Sequence, residues 1–190
     1  MSEERPVELW IIRHGETDWS RSGRHTSTTD LALTPDGEEV ARALVGRLAG
    51  IDFDLVLTSP MLRARRTAEL AGFPDAHLEP DLVEWNYGAY EGITTAEIRK
   101  LDPGWTIWTH PCPGGETAPD VSKRMDRVVA KVRAKGGRVL VFSHGHTSRA
   151  LAARWLAQPV DEGRLFKLDT ATISVLGYEH EGPAIARWNS

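Results

Sequence analysis

Ile11-Ile12-Arg13-His14-Gly15-Glu16-Thr17 is the stretch on which the reading of this chain turns. The mostly apolar run at 7–12 stops abruptly at a cation, an imidazole and a glycine. Such a run predicts a buried strand, and ligands of α/β folds gather at the carboxyl ends of strands. Arg13 and His14 therefore stand where an anionic ligand would be held, and Gly15 clears space for its close approach. The same pattern recurs in Val139-Leu140-Val141-Phe142, which runs into Ser143-His144-Gly145-His146. Two such endings predict two imidazoles facing one another across a sheet. A third strand, Leu55-Val56-Leu57-Thr58, leads into Ser59-Pro60 and then Arg63. Ser59 reads as an N-cap and Pro60 as the first helical residue, which puts Arg63 in the first turn. A guanidinium there would lie beside free backbone N–H groups, a ready anion site.

Outward from these strands the pattern alternates strand and helix. It predicts a three-layer α/β fold, a mostly parallel central sheet with helices on both faces. Residues 18–30 have no apolar period and read as a loop. Thr34-Pro35-Asp36 opens a helix with Val40, Ala41, Leu44, Val45 and Leu48 on one face and Gly50 as its stop. The Pro60 helix runs to about Ala71-Gly72, and residues 78–82 read as a short strand. Thr94-Thr95-Ala96-Glu97 is a capping box for a short helix to about Leu101. Residues 102–118, with Trp105, Trp108 and His110 among prolines and glycines, lack any period and read as a functional loop or lid. The stretch 121–135 is amphipathic, with Val121, Met125, Val128, Val129 and Val132 facing inward. Strands at 172–178 and 184–188 close the sheet, antiparallel at an edge.

The chain, 1–190, reads as a single domain. Its net charge of −4 argues against nucleic acid or an anionic membrane as partner, so local arginines must hold any phosphate. The single cysteine, Cys112, excludes an internal disulfide and suits a reducing compartment. In Pro111-Cys112-Pro113-Gly114-Gly115 it reads as a passive loop thiol. No stretch approaches membrane-spanning length and none reads as a signal segment, so a cytoplasmic protein is expected. A homodimer is left open.

Four segments, in order, carry a resemblance. They are Arg13-His14-Gly15-Glu16-Thr17; Ser59-Pro60 with Arg63-Ala64 and Thr67-Ala68; Glu84 with Tyr87-Gly88 and Tyr90-Glu91-Gly92; and Ser143-His144-Gly145-His146. Together they resemble the histidine phosphatase superfamily, which includes the cofactor-dependent phosphoglycerate mutases, and they span nearly the whole chain. The resemblance implies a phosphoglycerate mutase-like fold and a phosphohistidine intermediate on His14. Attack requires neutral imidazole with its other nitrogen held by a hydrogen bond. Arg13 and Arg63 would supply planar donor forks matched to phosphate, and a protonated His144 would add donors on the opposite flank. Glu84, in Leu82-Val83-Glu84-Trp85, is the implied general acid, and burial there would raise its pKa. Glu16 is a weaker rival. The resemblance places Ser20 and His25-Thr26 at substrate contacts, with an N-cap or loop role left open for Ser20. Tyr87, three residues after Glu84, and Arg149, on the helix opened by His144-Gly145-His146, are further candidate substrate contacts, and His146 is a supporting residue or a helix cap.

The loop between Thr17 and Leu33 lacks the Asn and Phe-x-Gly-Trp pattern of the mutases, and the chain lacks their longer middle insertion. The expected function is a phosphatase acting, without cofactor, on phosphate monoesters of small metabolites, phosphosugars or phosphoglycerates. A cofactor-dependent phosphoglycerate mutase and a non-catalytic phospho-ligand binding module stay open as alternatives. His14, His144 and His146 could meet at zinc, since His-x-His is a ligand spacing. No carboxylate accompanies them in sequence and nearby arginines would repel a cation, so no metal is expected.

Overall fold

The computed structural model describes residues 6–190. Six strands, β1 (Glu8–Arg13), β2 (Leu55–Thr58), β3 (His77–Leu78), β4 (Arg138–Ser143), β5 (Ile173–Glu179) and β6 (Gly182–Arg187), form one sheet in the order β3-β2-β4-β1-β5-β6. The first four of that order run parallel, and β5 and β6 add on antiparallel. The expectation of a mostly parallel sheet with an antiparallel edge pair holds.

Alternation along the central strands divides the interior in two. Leu9, Ile11, Val139 and Val141 join one core, and Trp10, Ile12, Leu140 and Phe142 join the other. Both faces must then be covered, because each buried side chain of this size contributes about 1.5–3 kcal/mol. Helices α2 (Pro35–Leu48) and α3 (Leu62–Leu70) cover the second core through Leu44, Leu48 and Ala68. Helices α5 (Ala118–Lys135) and α6 (Gly145–Trp155) cover the first. In α5 all five apolar positions read from the sequence are buried. In α2 the stripe is narrower than expected. Ala41, Leu44 and Leu48 are buried, whereas Val40 and Val45 are about half exposed, at 51% and 49%.

Other boundaries differ for identifiable reasons. The 18–30 segment opens with a short helix, α1 (Asp18–Ser22), held by a Thr17/Ser20 capping box rather than by any apolar face. Residues 78–82 are not a strand: only His77 and Leu78 pair with β2, and Pro80–Leu82 is a 3-10 turn capped by Glu79. Helix α3 begins at Leu62, two residues after Pro60, and its N-cap Met61 offers no side-chain bond. α4 (Thr95–Leu101) carries the capping box expected at Thr94 and Glu97. α5 starts earlier than its apolar pattern, behind a Thr117/Asp120 capping box with Pro119 in its first turn. Among the described residues no helix is long and apolar enough to cross a membrane.

The 102–118 segment is anchored to the rest of the fold by several buried side chains and hydrogen bonds. Trp105, Ile107 and Cys112 are buried in the first core. Trp85 Nε1 donates to Glu116 O at 3.1 Å, and Trp105 Nε1 donates to Pro111 O at 3.3 Å. Arg124 clamps the Glu116 carboxylate through two bonds of 2.7 and 2.9 Å.

Candidate active site

The parallel register of β1 with β4 aligns Arg13 with Ser143, so the next residue of each strand emerges at the same sheet end. The His14 and His144 rings accordingly lie edge to face, 5.2 Å between centroids. Above them opens a cavity of about 170 Å³ lined by Arg13, His14, Ser20, Arg24, His25, Thr26, Glu84, Tyr87, His146 and Arg149, among others. Eight of the ten residues marked out from sequence line it; Arg63 and His144 lie behind, fully buried.

His14 is buried, and its Nδ1 is 2.7 Å from Gly15 O. A carbonyl can only accept, so Nδ1 carries the proton and Nε2 keeps the lone pair. Burial, then the charges of Arg63 and Arg13, lower the His14 pKa to about 3. The ring is neutral at physiological pH. Gly15 serves a purpose other than the one expected. A Cβ there would fall 2.7 Å from Gly37 O, so the space belongs to the start of α2, not to a ligand. Gly15 N donates to Thr67 Oγ1 at 2.9 Å, which ties the turn to α3.

Each arginine is oriented by backbone carbonyls. Arg13 Nη1 donates to Leu168 O at 2.7 Å, while its buried Nε has no partner among the described residues. A Cβ on Gly145 would meet this guanidinium at 3.4 Å, an ordinary contact, so the cation lies against the start of α6. Arg63 donates from Nη1 to Thr29 O (3.0 Å), from Nη2 to Thr26 O and Ser27 O (3.3 and 3.1 Å), and from Nε to His144 Nδ1 (3.2 Å). The N–H groups at the start of α3 are not an open anion site as expected, because Asp30 Oδ1 accepts from Leu62 N at 2.7 Å.

His144 is not the protonated donor that the resemblance suggested. Its Nδ1 accepts from Arg63, so the proton lies on Nε2, 2.8 Å from Ser59 Oγ. Burial and the Arg63 charge push its pKa well below the ordinary imidazole value. This also explains why Ser59 does not cap α3 by the expected route: its hydroxyl serves His144 and bonds Met61 N only at 3.4 Å.

Glu84 corrects a second expectation. Oε1 accepts from Trp85 N and Thr147 N at 2.9 and 2.8 Å, and Oε2 accepts from His146 N at 3.1 Å. Burial favours the neutral acid and the backbone N–H groups of Trp85 and Thr147 favour the carboxylate; the balance leaves the carboxyl below its ordinary range. Glu84 thus also caps α6.

The remaining positions form a rim. Tyr87 Oη lies 2.6 Å from His146 Nδ1, and His25 packs against Tyr87 and Trp105 at 4.7 and 5.3 Å. Burial, and then the charge of Arg149, lowers the His146 pKa to about 3. His146 was underrated from sequence; its place two residues beyond His144 was the available signal. Ser20 lines the cavity, but its Oγ is already committed to Thr17 N and Thr17 O at 2.9 and 3.0 Å. Thr26 lies beside it, its Oγ1 donating to Arg24 O at 3.3 Å. Arg149 stacks on Trp108 at 4.8 Å and donates to Gly163 O and Arg164 O. Arg24, overlooked in the sequence, bonds Gly92 O at 2.7 Å and adds a third cation to the lining beside Arg13 and Arg149. Glu16 is outside the lining and bonds Thr34 Oγ1 at 3.0 Å. Among the described residues no three His, Cys, Asp or Glu side chains converge as metal ligands.

This arrangement, a neutral imidazole between two buried guanidiniums with a carboxyl group alongside, matches a known family. The sequence model of the histidine phosphatase superfamily (branch 1) covers residues 9–190. An acid phosphatase of Mycobacterium tuberculosis is 44% identical over 181 residues, covering 93% of this chain and 89% of the relative. Sedoheptulose 1,7-bisphosphatase of Saccharomyces cerevisiae is 34% identical over 185 residues, covering 80% of this chain and 68% of the relative. The solved structure of the Mycobacterium tuberculosis open reading frame Rv3214 superposes with a TM-score of 0.93 at 41% identity, covering 97% of this chain and 98% of that one. The chain belongs to the histidine phosphatase superfamily. It is a phosphoric monoester hydrolase with the phosphoglycerate mutase-like fold.

Proposed function

We propose that the protein hydrolyses phosphate monoesters of small metabolites in two steps on His14. The observation that carries this reading is the state of His14: Nδ1–H spent on Gly15 O, Nε2 unprotonated, and two guanidinium charges nearby. In the first step the Nε2 lone pair forms a bond to phosphorus and the ester P–O bond breaks, while the leaving oxygen takes a proton from Glu84. In the second, water attacks phosphorus, its proton passes to Glu84, and the P–N electron pair returns to Nε2. Ester and water become alcohol and phosphate. Arg13 and Arg63 stabilise charge on the equatorial oxygens, with His144 holding Arg63 in place.

Because Glu84 is ionised in the free protein, the proton it donates enters with the substrate. A phosphate group brings up to two negative charges beside the carboxylate, which raises its pKa on binding. The cavity's size and its lining by Arg24, His25, Thr26 and Arg149 suit a phosphosugar or phosphoglycerate with a second anionic or hydroxyl-rich end. The net charge and the single cysteine are in keeping with a cytoplasmic enzyme.

The test is steady-state phosphate release from a panel of phosphosugars and phosphoglycerates with wild type and Arg149→Met. A lost charge-assisted bond is worth about 1.5–3 kcal/mol, so KM for doubly anionic substrates should rise roughly 10–100-fold, while p-nitrophenyl phosphate changes little. Equal effects on both substrates, or interconversion of phosphoglycerates faster than phosphate release, would count against the proposal.

A further inference from the structure

Glu91 lies away from the reacting atoms, half-buried behind the segment that forms one side of the cavity. Its two oxygens accept from Ser27 N at 2.8 and 2.9 Å, from Thr29 N at 3.0 Å, and from Ser27 Oγ. Arg63 holds the carbonyls of the same segment, those of Thr26, Ser27 and Thr29. At the peptide between Thr26 and Ser27 the two meet: Arg63 Nη2 takes its C=O and Glu91 takes its N–H.

A peptide group carries a dipole of about 3.5 D, so a cation on its oxygen and an anion on its N–H each favour the other's position. Arg63 and Glu91 thus form an ion pair bridged by backbone rather than by direct contact. The bridge continues beyond Arg63, whose Nε fixes the His144 tautomer, and His144 in turn reaches Ser59. The same segment presents His25 and Thr26 to the cavity, and Ser27 Oγ also accepts from Tyr87 N at 3.3 Å. Further anchors fasten it to the turn after Glu91: His25 N donates to Ile93 O and Gly92 N donates to His25 O, at 3.0 and 2.8 Å.

We infer that Glu91 is a positioning residue for phosphoryl transfer, orienting Arg63 through the Thr26–Ser27 peptide. The inference rests on the proposed role of Arg63 at the transferred phosphoryl group. Glu91→Gln is nearly isosteric: its oxygen can keep Ser27 N and Thr29 N, but the charge is lost and an amide NH2 stands against Ser27 N–H and Oγ, so the segment and Arg63 both shift. Misplacement by about 1 Å costs on the order of 10²-fold in rate. The expected result is a roughly 10–100-fold fall in kcat/KM for p-nitrophenyl phosphate. The inhibition constant for vanadate, which resembles the five-coordinate transition state, should rise more than that for inorganic phosphate.

The closing experiment is a double-mutant cycle of Glu91→Gln with Arg63→Met, read as kcat/KM and vanadate inhibition well below each variant's Tm. If Glu91 acts through Arg63, Glu91→Gln costs little in the Arg63→Met background. Additive losses, or a fall in kcat with unchanged KM and vanadate inhibition, would overturn the inference. Arg63→Met turning over at the wild-type rate would instead refute the role given to Arg63, and the inference with it. Should Glu91→Gln not fold, Ser27→Ala removes the hydroxyl that donates to Glu91 and accepts from Tyr87 N, while the backbone bonds to Glu91 stay. It should show the same pattern of inhibition at a few-fold scale, and wild-type vanadate inhibition would again overturn the inference.

Discussion

Replacing Glu84 by Gln separates a structural effect from a chemical one. The Glu84 carboxylate accepts three backbone N–H groups, from Trp85, Thr147 and His146. Gln keeps one oxygen for two of them and turns its own amide towards the His146 N–H. Losing one charge-assisted bond costs about 1.5–3 kcal/mol. At roughly 2–4 °C per kcal/mol for a chain of this size, Tm at neutral pH should fall by about 3–12 °C. The folded pKa of Glu84 lies below its unfolded value of about 4.3. Its stabilisation is therefore fully present above that unfolded value and is lost as pH falls through the folded one. The gap between wild type and Glu84→Gln should narrow in acid.

The chemical effect has the same origin. With Glu84 ionised, the proton for the leaving oxygen comes from the substrate monoanion, whose second pKa is about 6. Wild-type kcat/KM for a hexose phosphate should thus fall about tenfold per pH unit above roughly pH 6. Glu84→Gln should lower it by about 10²–10⁴-fold at acid pH, because an alkoxide leaves poorly without its proton. p-Nitrophenyl phosphate, with an acidic phenol, should lose far less. The assay is initial-rate phosphate release from both substrates over about pH 4 to 9. Equal losses on the two substrates, or a wild-type alkyl profile that stays flat above neutrality, would refute the reasoning.

Two further predictions come from packing and burial. Gly37→Ala should destabilise although alanine favours helices, because its Cβ would lie 2.3 Å from Glu16 O. A loss of about 1–3 kcal/mol is expected by calorimetry, and unchanged or higher stability would contradict the backbone contact. Burial raises the Cys112 thiol pKa to about 11, so alkylation of the folded protein near neutral pH should be slow and leave turnover unchanged. Fast labelling with loss of activity would contradict the reading of Cys112 as a buried, passive thiol.

The strands and their His-Gly endings were legible because parallel strands buried on both faces leave unbroken apolar runs, as in Val139-Leu140-Val141-Phe142. What stayed hidden depends on partners distant in sequence. The rise expected for the Glu84 pKa followed from its apolar neighbours, whereas of the bonds that lower it only that from Trp85 is local and that from Thr147 comes from α6, distant in sequence. Ser59-Pro60 has the local grammar of a helix start, yet the Ser59 hydroxyl is taken by His144 and Asp30 caps Leu62 instead. α1 left no trace in the apolar pattern because it buries none of its residues. Glu91 was visible only as a letter in a motif, since nothing near it in sequence points to Ser27.

The claim on which everything else rests is that His14 Nε2 carries the phosphoryl group between the two steps. Rapid quench of the enzyme with a labelled phosphosugar, followed by peptide mapping, tests it directly. The account predicts acid-labile, alkali-stable phosphate on His14, lost together with turnover in a folded His14→Ala variant. Label on Cys112 or a serine, or a His14→Ala protein that keeps most of its activity, would contradict it.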